Sequence, residues 1–185
     1  MKTKIIAILV FFTNILLAQN YHDTQGKLDI SSSGQATFTL PIAMPPSING
    51  FGPKIDLNYN SGQLSGMAGQ GWNINGISRI SRISTRKDID GFRDGVDFDD
   101  NDKLAIDGQR LLLKSGTYWE NGSVYETEVQ SNINVLLTKN GNTFLFTVTS
   151  PDGTKSWYGN LKGYNAADET AFYIVRTEDL DGNFI

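Results

Sequence analysis

Nine two-residue turn signals, each either Asn-Gly or Asp-Gly, restrict the fold of this chain more than any other feature of its sequence. They begin at residues 49, 75, 90, 94, 107, 121, 140, 152 and 181. Asn, Asp and Gly tolerate the positive φ that a tight hairpin turn requires, whereas β-branched residues do not. The sequence therefore predicts an all-β chain built from short antiparallel hairpins.

Alternating polar and apolar residues flank several of these turns, as expected for strands with one buried face. Two early strands are predicted at residues 37–42 and 54–60. Later hairpins are predicted to pair residues 104–106 with 109–113, 118–120 with 123–129, and 135–138 with 143–149, the last continuing into 154–158.

The N-terminus has the pattern of a secretory signal peptide. Lys2 and Lys4 precede an apolar run over residues 5–17, which ends in Leu-Leu-Ala before Gln19. This pattern predicts a signal peptide at residues 1–18, cleaved after Ala18. The run is shorter than the roughly 20 apolar residues of a membrane-spanning helix, although an uncleaved anchor is the alternative. Residues 19–33 are predicted to form a disordered lead-in.

The net charge limits which partners this chain can bind, and the cysteine content limits which bonds can stabilise it. Without residues 1–18 the chain has 167 residues, with 14 basic against 20 acidic side chains and a net charge of −6. An acidic surface argues against nucleic acid or an anionic membrane as the main partner. The chain has no cysteine, which excludes disulfides and a cysteine-linked lipid anchor. It must be stabilised by burial and strand pairing, for which this length suffices.

The segment GQATFTLPIAMPPSINGFGPKIDLNYNSGQLSGMAGQGWNINGISRISR, residues 34–82, closely resembles the N-terminal region of the SpvB-type virulence-plasmid B protein family. That family includes the B component of insecticidal Tc toxin complexes and is related to Rhs/YD-repeat proteins. A strand ending in Pro-Ile, a proline-rich bend, the segment GFGPKIDLNYNSG, then GQGW and an Ile-x-Arg strand come in the same order. Later segments extend the resemblance to residue 183, namely KLAIDGQRLLL, FTVTSPDGTKSWYG and IVRTEDLDGN.

The resemblance implies a hairpin-rich antiparallel segment of a toxin shell, in which strands wrap a hollow cocoon around a toxic C-terminal domain. It implies a structural and non-enzymatic role, with the remainder of a longer toxin chain or a companion toxin component as partner. Together with the predicted signal peptide, it implies a secreted, extracellular protein. Residues 34–185 are expected to be the N-terminal part of that module, incomplete at the C-terminus, because RTEDLDGNFI turns and then stops. A natural frayed end is the alternative.

Four glycines within ten residues, Gly62, Gly66, Gly69 and Gly71, precede Trp72. Glycine permits positive φ and close backbone approach, so we expect these residues to form a sharp corner. The large ring of Trp72 is expected to fill the gap at that corner. A phosphate-binding glycine loop is the competing interpretation, but it lacks the following helix and basic residue that such loops use.

Residues 88–107 contain eight aspartates and suggest a calcium loop. Asp97, Asp99 and Asn101 have the alternating spacing of calcium ligands. An EF-hand would need glycine at the sixth position and glutamate at the twelfth, where this chain has Asp102 and Gly108. A looser Ca²⁺ site is one hypothesis and a solvated acidic connector is the other. No further cofactor is expected.

Catalytic signatures are weak. Glu126-Thr127-Glu128 matches the Glu-x-Glu of the ADP-ribosyltransferase domains that relatives of the resembled family can carry. On the predicted strand both glutamates would share the solvent face, so we interpret the match as coincidence. His22 is the only histidine and lies in the predicted lead-in, so a serine or cysteine triad is not expected. No catalytic residue is predicted.

Two further functions compete with the shell segment. One is a secreted adhesin or carbohydrate-binding domain that uses Tyr118, Trp119, Trp157 and Tyr158 as a sugar platform. The alternative interpretation of these residues is that they form cross-strand aromatic pairs in hairpins. The other is a fragment of an ADP-ribosyltransferase toxin.

Overall fold

A computed structural model describes residues 25–48, 50–159 and 169–185. The predicted signal peptide, residues 19–24 of the lead-in and His22 lie outside these residues. Nearly all regular structure in the described ranges is β, and the all-β prediction is confirmed. No helix within them is long and apolar enough to cross a membrane. The elements are β1 Lys27–Ile30, β2 Ala36–Pro41, β3 Asp56–Asn60, β4 Trp72–Asn75, β5 Arg79–Ile83, α1 Lys87–Asp90, β6 Lys103–Ile106, β7 Gln109–Ser115, β8 Val124–Thr127, β9 Asn134–Asn140, β10 Thr143–Thr149, β11 Lys155–Gly159 and β12 Ala171–Glu178.

Residue contacts divide the chain into two units, one with residues up to Pro41 and Asp56–Asn73, the other with Ile42–Ile55 and Ile74–Ile185. β1 to β4 form a sheet in the order β1-β2-β3-β4. Its first three strands pair antiparallel and place Leu28, Phe38 and Tyr59 in one row. Directly opposed residues share a face of the sheet, so these three apolar side chains lie together on one face. The intervening Lys27, Thr39 and Asn58 row is polar.

The lead-in prediction needs correction where the structure describes it. Lys27–Ile30 is not disordered but forms β1, paired with β2. Ser31 N–H donates to the Gln35 carbonyl at 2.9 Å and closes the turn between the two strands. The sequence signal was weak because β1 is only four residues long and none of them is buried.

The remaining eight strands close into a barrel in the order β10-β11-β12-β5-β6-β7-β8-β9. Inward side chains alternate with outward ones most regularly along β10, where Phe144, Phe146 and Val148 are buried. The barrel interior is filled by side chains, the usual state of an eight-stranded barrel. Its buried cluster comprises Ile80, Leu104, Ile106, Leu111, Trp119, Tyr125, Val135, Leu137, Phe144, Phe146, Val148, Tyr158 and Phe172.

Five of the predicted turns, at residues 107, 121, 140, 152 and 181, occur, although their geometry varies. Asp90-Gly91 instead ends α1, Asp94-Gly95 forms no turn, and Asn49 lies outside the described residues. Asp107 and Gly108 both have positive φ, 47° and 84°, and connect β6 to β7 as a two-residue hairpin. At 140, 152 and 181 only the glycine of each pair adopts positive φ. The predicted hairpins at 140–141 and 152–153 are confirmed by the pairing of β9, β10 and β11.

One predicted hairpin is wrong. Residues 118–120 form no strand and lie in the turn between β7 and β8. Trp119 has a φ of 66° and is 2% exposed. The pattern that predicted a strand there instead belongs to a turn whose Trp119 side chain packs into the barrel core.

The chain reverses once more after β12. Asp181-Gly182 returns the backbone so that Thr177 and Ile185 exchange two N–H···O bonds of 2.9 and 3.0 Å. The second arm of this hairpin is therefore present as far as residue 185.

Candidate functional site

The acidic loop, residues 91–102, follows the single turn of α1 and leads into β6. Carboxylate oxygens of Asp94, Asp97 and Asp99 all lie within 4.8 Å of one another. The structure thus brings together two of the three predicted calcium ligands and adds Asp94. The EF-hand spacing used on the sequence could not identify Asp94, because it precedes the first position of that pattern.

Asn101, the third predicted ligand, contacts the same group as a donor. Its side-chain amide donates to Asp99 Oδ2 at 2.7 Å and to Asp94 Oδ2 at 3.4 Å. An amide nitrogen directed at two carboxylates neutralises part of their repulsion. Partial desolvation and then the charges of Asp99 and Asp94 raise the pKa of Asp97 above its ordinary value. The three carboxylates could supply oxygen ligands to a hard divalent cation.

Calcium binding to the acidic loop stays a prediction, and calorimetry tests it. We expect a heat of Ca²⁺ binding at neutral pH that decreases as the pH falls through the pKa of Asp97, since protonation removes a ligand charge. Asp97→Asn should remove the heat, whereas Asp181→Asn, at an exposed turn outside the loop, should leave it unchanged. Absence of heat in the unsubstituted protein would leave the loop a solvated connector.

Asp102, at the end of the acidic loop, is turned inward. Its carboxylate accepts a bond from Arg82 Nη1 at 2.9 Å, and the side chains of the pair are 0% and 4% exposed. It also accepts from the backbone N–H of Asp97 at 3.3 Å and of Phe98 at 3.0 Å. The guanidinium of Arg82 lies 4.1 Å from the ring centroid of Trp119. Asp102 therefore fixes the acidic loop to the barrel.

A second ion pair fixes the beginning of the same region. Arg110 on β7 donates to Asp90 at the end of α1, and both side chains are largely buried. Arg110 also donates to the Ser84 carbonyl at 3.2 Å. The acidic segment is thus attached to the barrel at both ends by buried arginines, which sequence spacing did not reveal because each arginine lies on a distant strand.

The glycine corner, residues 62–71, precedes β4. Trp72 is half-buried, with its ring centroid 5.2 Å from that of Tyr59 and 6.3 Å from that of Phe38. At Gly71, φ is 76° and an added Cβ would lie 2.6 Å from the Tyr59 ring. At Gly66 an added Cβ would lie 2.1 Å from the Trp72 carbonyl oxygen. Gly71 thus combines positive φ with close approach, whereas Gly66 shows close approach alone.

The other two glycines contribute less to this corner. Gly69 has a φ of 122° but open space around it, while Gly62 has no positive φ and lies against the flexible Gln35 side chain. Trp72 contacts Tyr59 and Phe38 beside this corner, and its role in filling a gap there stays a prediction.

We expect Trp72→Ala to lower the free energy of unfolding by about 1–2 kcal/mol, because a half-buried ring loses about half the burial energy of a core aromatic. Gly71→Ala should also destabilise, through left-handed strain and the Tyr59 contact. Urea denaturation followed by circular dichroism measures both. Gly95→Ala is the matched control, since Gly95 has neither positive φ nor a neighbour within 4 Å of an added Cβ. An unchanged midpoint for Trp72→Ala would contradict this role.

Glu126 and Glu128 are both exposed, as predicted. Lys114 Nζ lies 3.6 Å from Glu126, and Arg86 Nη1 lies 3.1 Å from Glu128. Each glutamate thus has its own cationic neighbour, and Thr127 between them is buried. Both glutamates line one open groove of about 450 Å³, but each contacts a different cation.

The four aromatic residues of the proposed sugar platform do not form a common surface. Trp119 and Tyr158 are buried in the barrel core, at 2% and 4% exposure. Burial raises the pKa of Tyr118, whose hydroxyl accepts a bond from Leu104 N–H at 2.7 Å. Tyr118 is half-buried against the core cluster, and Trp157 is half-buried beside Arg176.

Comparisons with known proteins agree with the fold. The family described as Salmonella virulence plasmid 65kDa B protein, SpvB, matches residues 30–176. A crystal structure of TcdB2-TccC3 aligns with 87% of this chain at 19% identity and a TM-score of 0.61. The Photorhabdus luminescens Tc holotoxin pore aligns with 84% at 17% identity and a TM-score of 0.58. In both cases this chain spans about 8% of the length of the solved chain. Among curated proteins there is no significant match.

Proposed function

The chain belongs to the Salmonella virulence plasmid 65kDa B protein (SpvB) family, and we propose that it is a non-enzymatic structural segment of a toxin-related protein. In this role it supplies part of the wall of a shell that encloses a toxic domain. The observation that carries the proposal is the recurrence of its fold as about 8% of much longer chains in Tc toxin structures.

The physical character of the barrel supports a wall element. Its interior holds a continuous aromatic and aliphatic cluster, so the barrel is a solid body and not a ligand container. Within the described residues no buried side-chain nitrogen or oxygen lacks a hydrogen-bond partner. A packed and internally satisfied core gives rigidity, which a wall requires.

Partners and location follow from the same proposal. The chain functions with the remainder of a longer toxin chain or with a companion toxin component, outside the cell, after export by its signal peptide. The two solved neighbours are parts of Tc toxin complexes by their names, which supports a companion protein as partner. The adhesin alternative is weakened because two of its four platform rings are core residues.

Native electrophoresis of the source organism's culture medium tests assembly and export together. With an antibody against residues 34–183, we expect the protein in the medium, in particles well above the 20.4 kDa mass of this chain. A cytoplasmic marker protein controls for lysis. Detection only inside cells, or only as a free chain, would overturn the proposal.

We expect no NAD consumption by the purified chain, because Glu126 and Glu128, which line one open groove of about 450 Å³, are each paired with a surface cation. Release of nicotinamide, followed by chromatography, measures this activity. Glu128→Gln is the matched variant: NAD turnover by the unsubstituted chain that disappears in this variant would establish an enzyme instead.

A further inference from the structure

β1 is the most exposed apolar strand of the four-stranded sheet, and its outer edge is open in the described part of the chain. β1 lies at one end of the sheet order. Leu28 and Ile30 on it are 72% and 73% exposed. An edge strand presents a row of N–H and C=O groups to any strand that can align with it. Exposed apolar side chains on such an edge favour that alignment.

The hydrogen-bond register shows which backbone groups face outward. Ser31 N–H bonds to the Gln35 carbonyl, and antiparallel strands alternate hydrogen-bonded and non-hydrogen-bonded pairs. Asp29 and Lys27 therefore direct their backbone groups toward β2, and Leu28 and Ile30 direct theirs to the free edge. The Ile30 N–H donates to the Asp29 carboxylate at 2.9 Å. The backbone groups of Leu28 have no neighbouring strand in the described part of the chain.

The charges that flank Leu28 are self-complementary. Lys27 precedes it and Asp29 follows it, on the polar side of the strand. Their side chains are 80% and 60% exposed and lie 3.1 Å apart within the strand. If a second β1 ran antiparallel about a twofold axis through Leu28, each Lys27 would face the other copy's Asp29. The two Leu28 residues would form the central hydrogen-bonded pair.

We propose that two copies of this chain associate by antiparallel pairing of their β1 edges, centred on Leu28. The pairing is isologous, so each contact occurs twice. It joins the two four-stranded sheets into one sheet of eight strands, with Leu28 and Ile30 of both copies adjacent on the same face. Cross-strand leucines and opposite charges stabilise it. Four residues per edge bury little area, so the dimer is weak and concentration-dependent. This inference goes beyond the proposed function and does not depend on it.

Sedimentation velocity of the purified chain at low salt tests the proposal. We expect a reversible monomer–dimer equilibrium between about 1 µM and about 1 mM, the range expected of a small interface. Lys27→Glu alone and Asp29→Lys alone each place like charges opposite one another and should weaken association at least about tenfold. The double variant Lys27→Glu/Asp29→Lys restores opposite charges and should restore the dimer.

Two further variants test whether the copies associate through the β1 edge and not through another surface. Leu28→Pro removes the outward N–H and the leucine side chain but no hydrogen bond to β2, a change that an edge strand tolerates, and it should abolish the dimer while circular dichroism stays unchanged. Lys54→Glu makes the same charge change at an exposed site outside β1 and should leave the dimer intact. A monomer at every concentration, or an association indifferent to both charge reversals, would overturn β1 pairing.

Discussion

Replacing Asp102 with alanine is expected to lower the free energy of unfolding by about 3–5 kcal/mol, the cost of removing one partner of a buried ion pair. Arg82 would remain in the barrel with its charge beside Trp119 and without the carboxylate that it contacts at 2.9 Å. The backbone N–H groups of Asp97 and Phe98 would lose their acceptor at the same time. Folded domains are stable by only about 5–15 kcal/mol, so this variant should be close to unfolding.

Urea denaturation followed by far-ultraviolet circular dichroism measures the effect. Asp100→Ala is the matched control, because Asp100 is an exposed aspartate in the same loop and should change stability by less than about 0.5 kcal/mol. Arg82→Met/Asp102→Leu removes both charges and should recover part of the loss. Equal midpoints for Asp102→Ala and Asp100→Ala would show that the buried pair does not hold the loop.

Replacing Trp119 with alanine is expected to cost a similar amount, about 3–5 kcal/mol, since a fully buried aromatic leaves both lost burial and a cavity. The indole ring packs edge-on against Phe144 at 5.6 Å and lies under the Arg82 guanidinium. Its Nε1–H donates to the Asp102 carbonyl at 2.8 Å. Loss of the ring would thus leave a cavity in the barrel core and free a backbone acceptor.

Trp157→Ala is the matched control for Trp119, because it removes the same side chain from a half-buried position on β11. We expect a cost of about 1–2 kcal/mol there. Trp119 contacts Asp102, so the double variant Trp119→Ala/Asp102→Ala should cost less than the sum of the single variants. If Trp157→Ala were as damaging as Trp119→Ala, the placement of the core would be wrong.

Much of the strand content could be predicted because hairpin turns and alternating strands are local signals. Asp107-Gly108 illustrates this, since both residues adopt the positive φ that their types permit. β1 was missed because its four residues are stabilised by β2 and not by their own burial. Residues 118–120 were predicted as a strand because they precede Asn121-Gly122, a hairpin turn signal, whereas the Trp119 ring packs in the barrel core.

The acidic loop was partly predictable because two of its carboxylates are neighbours in the sequence. Asp97 and Asp99 are close in sequence and remain close in space. The roles of Asp94, as a third carboxylate, and of Asp102, as the inward partner of Arg82, depend on how the loop folds over β5. A one-dimensional ligand pattern cannot distinguish an aspartate that faces solvent from one that faces an arginine twenty residues away.

By itself the sequence determined the all-β class, the positions of several turns and the family resemblance, because turn residues and strand alternation act on neighbouring residues. Only the tertiary structure decided that eight strands close into a barrel, that Trp119 belongs to its core and that two buried arginines hold the acidic segment. Those outcomes depend on contacts between distant strands. Closure pairs β10 with β9 and β11 and joins β12 to β5, and burial then selects which side chains face inward.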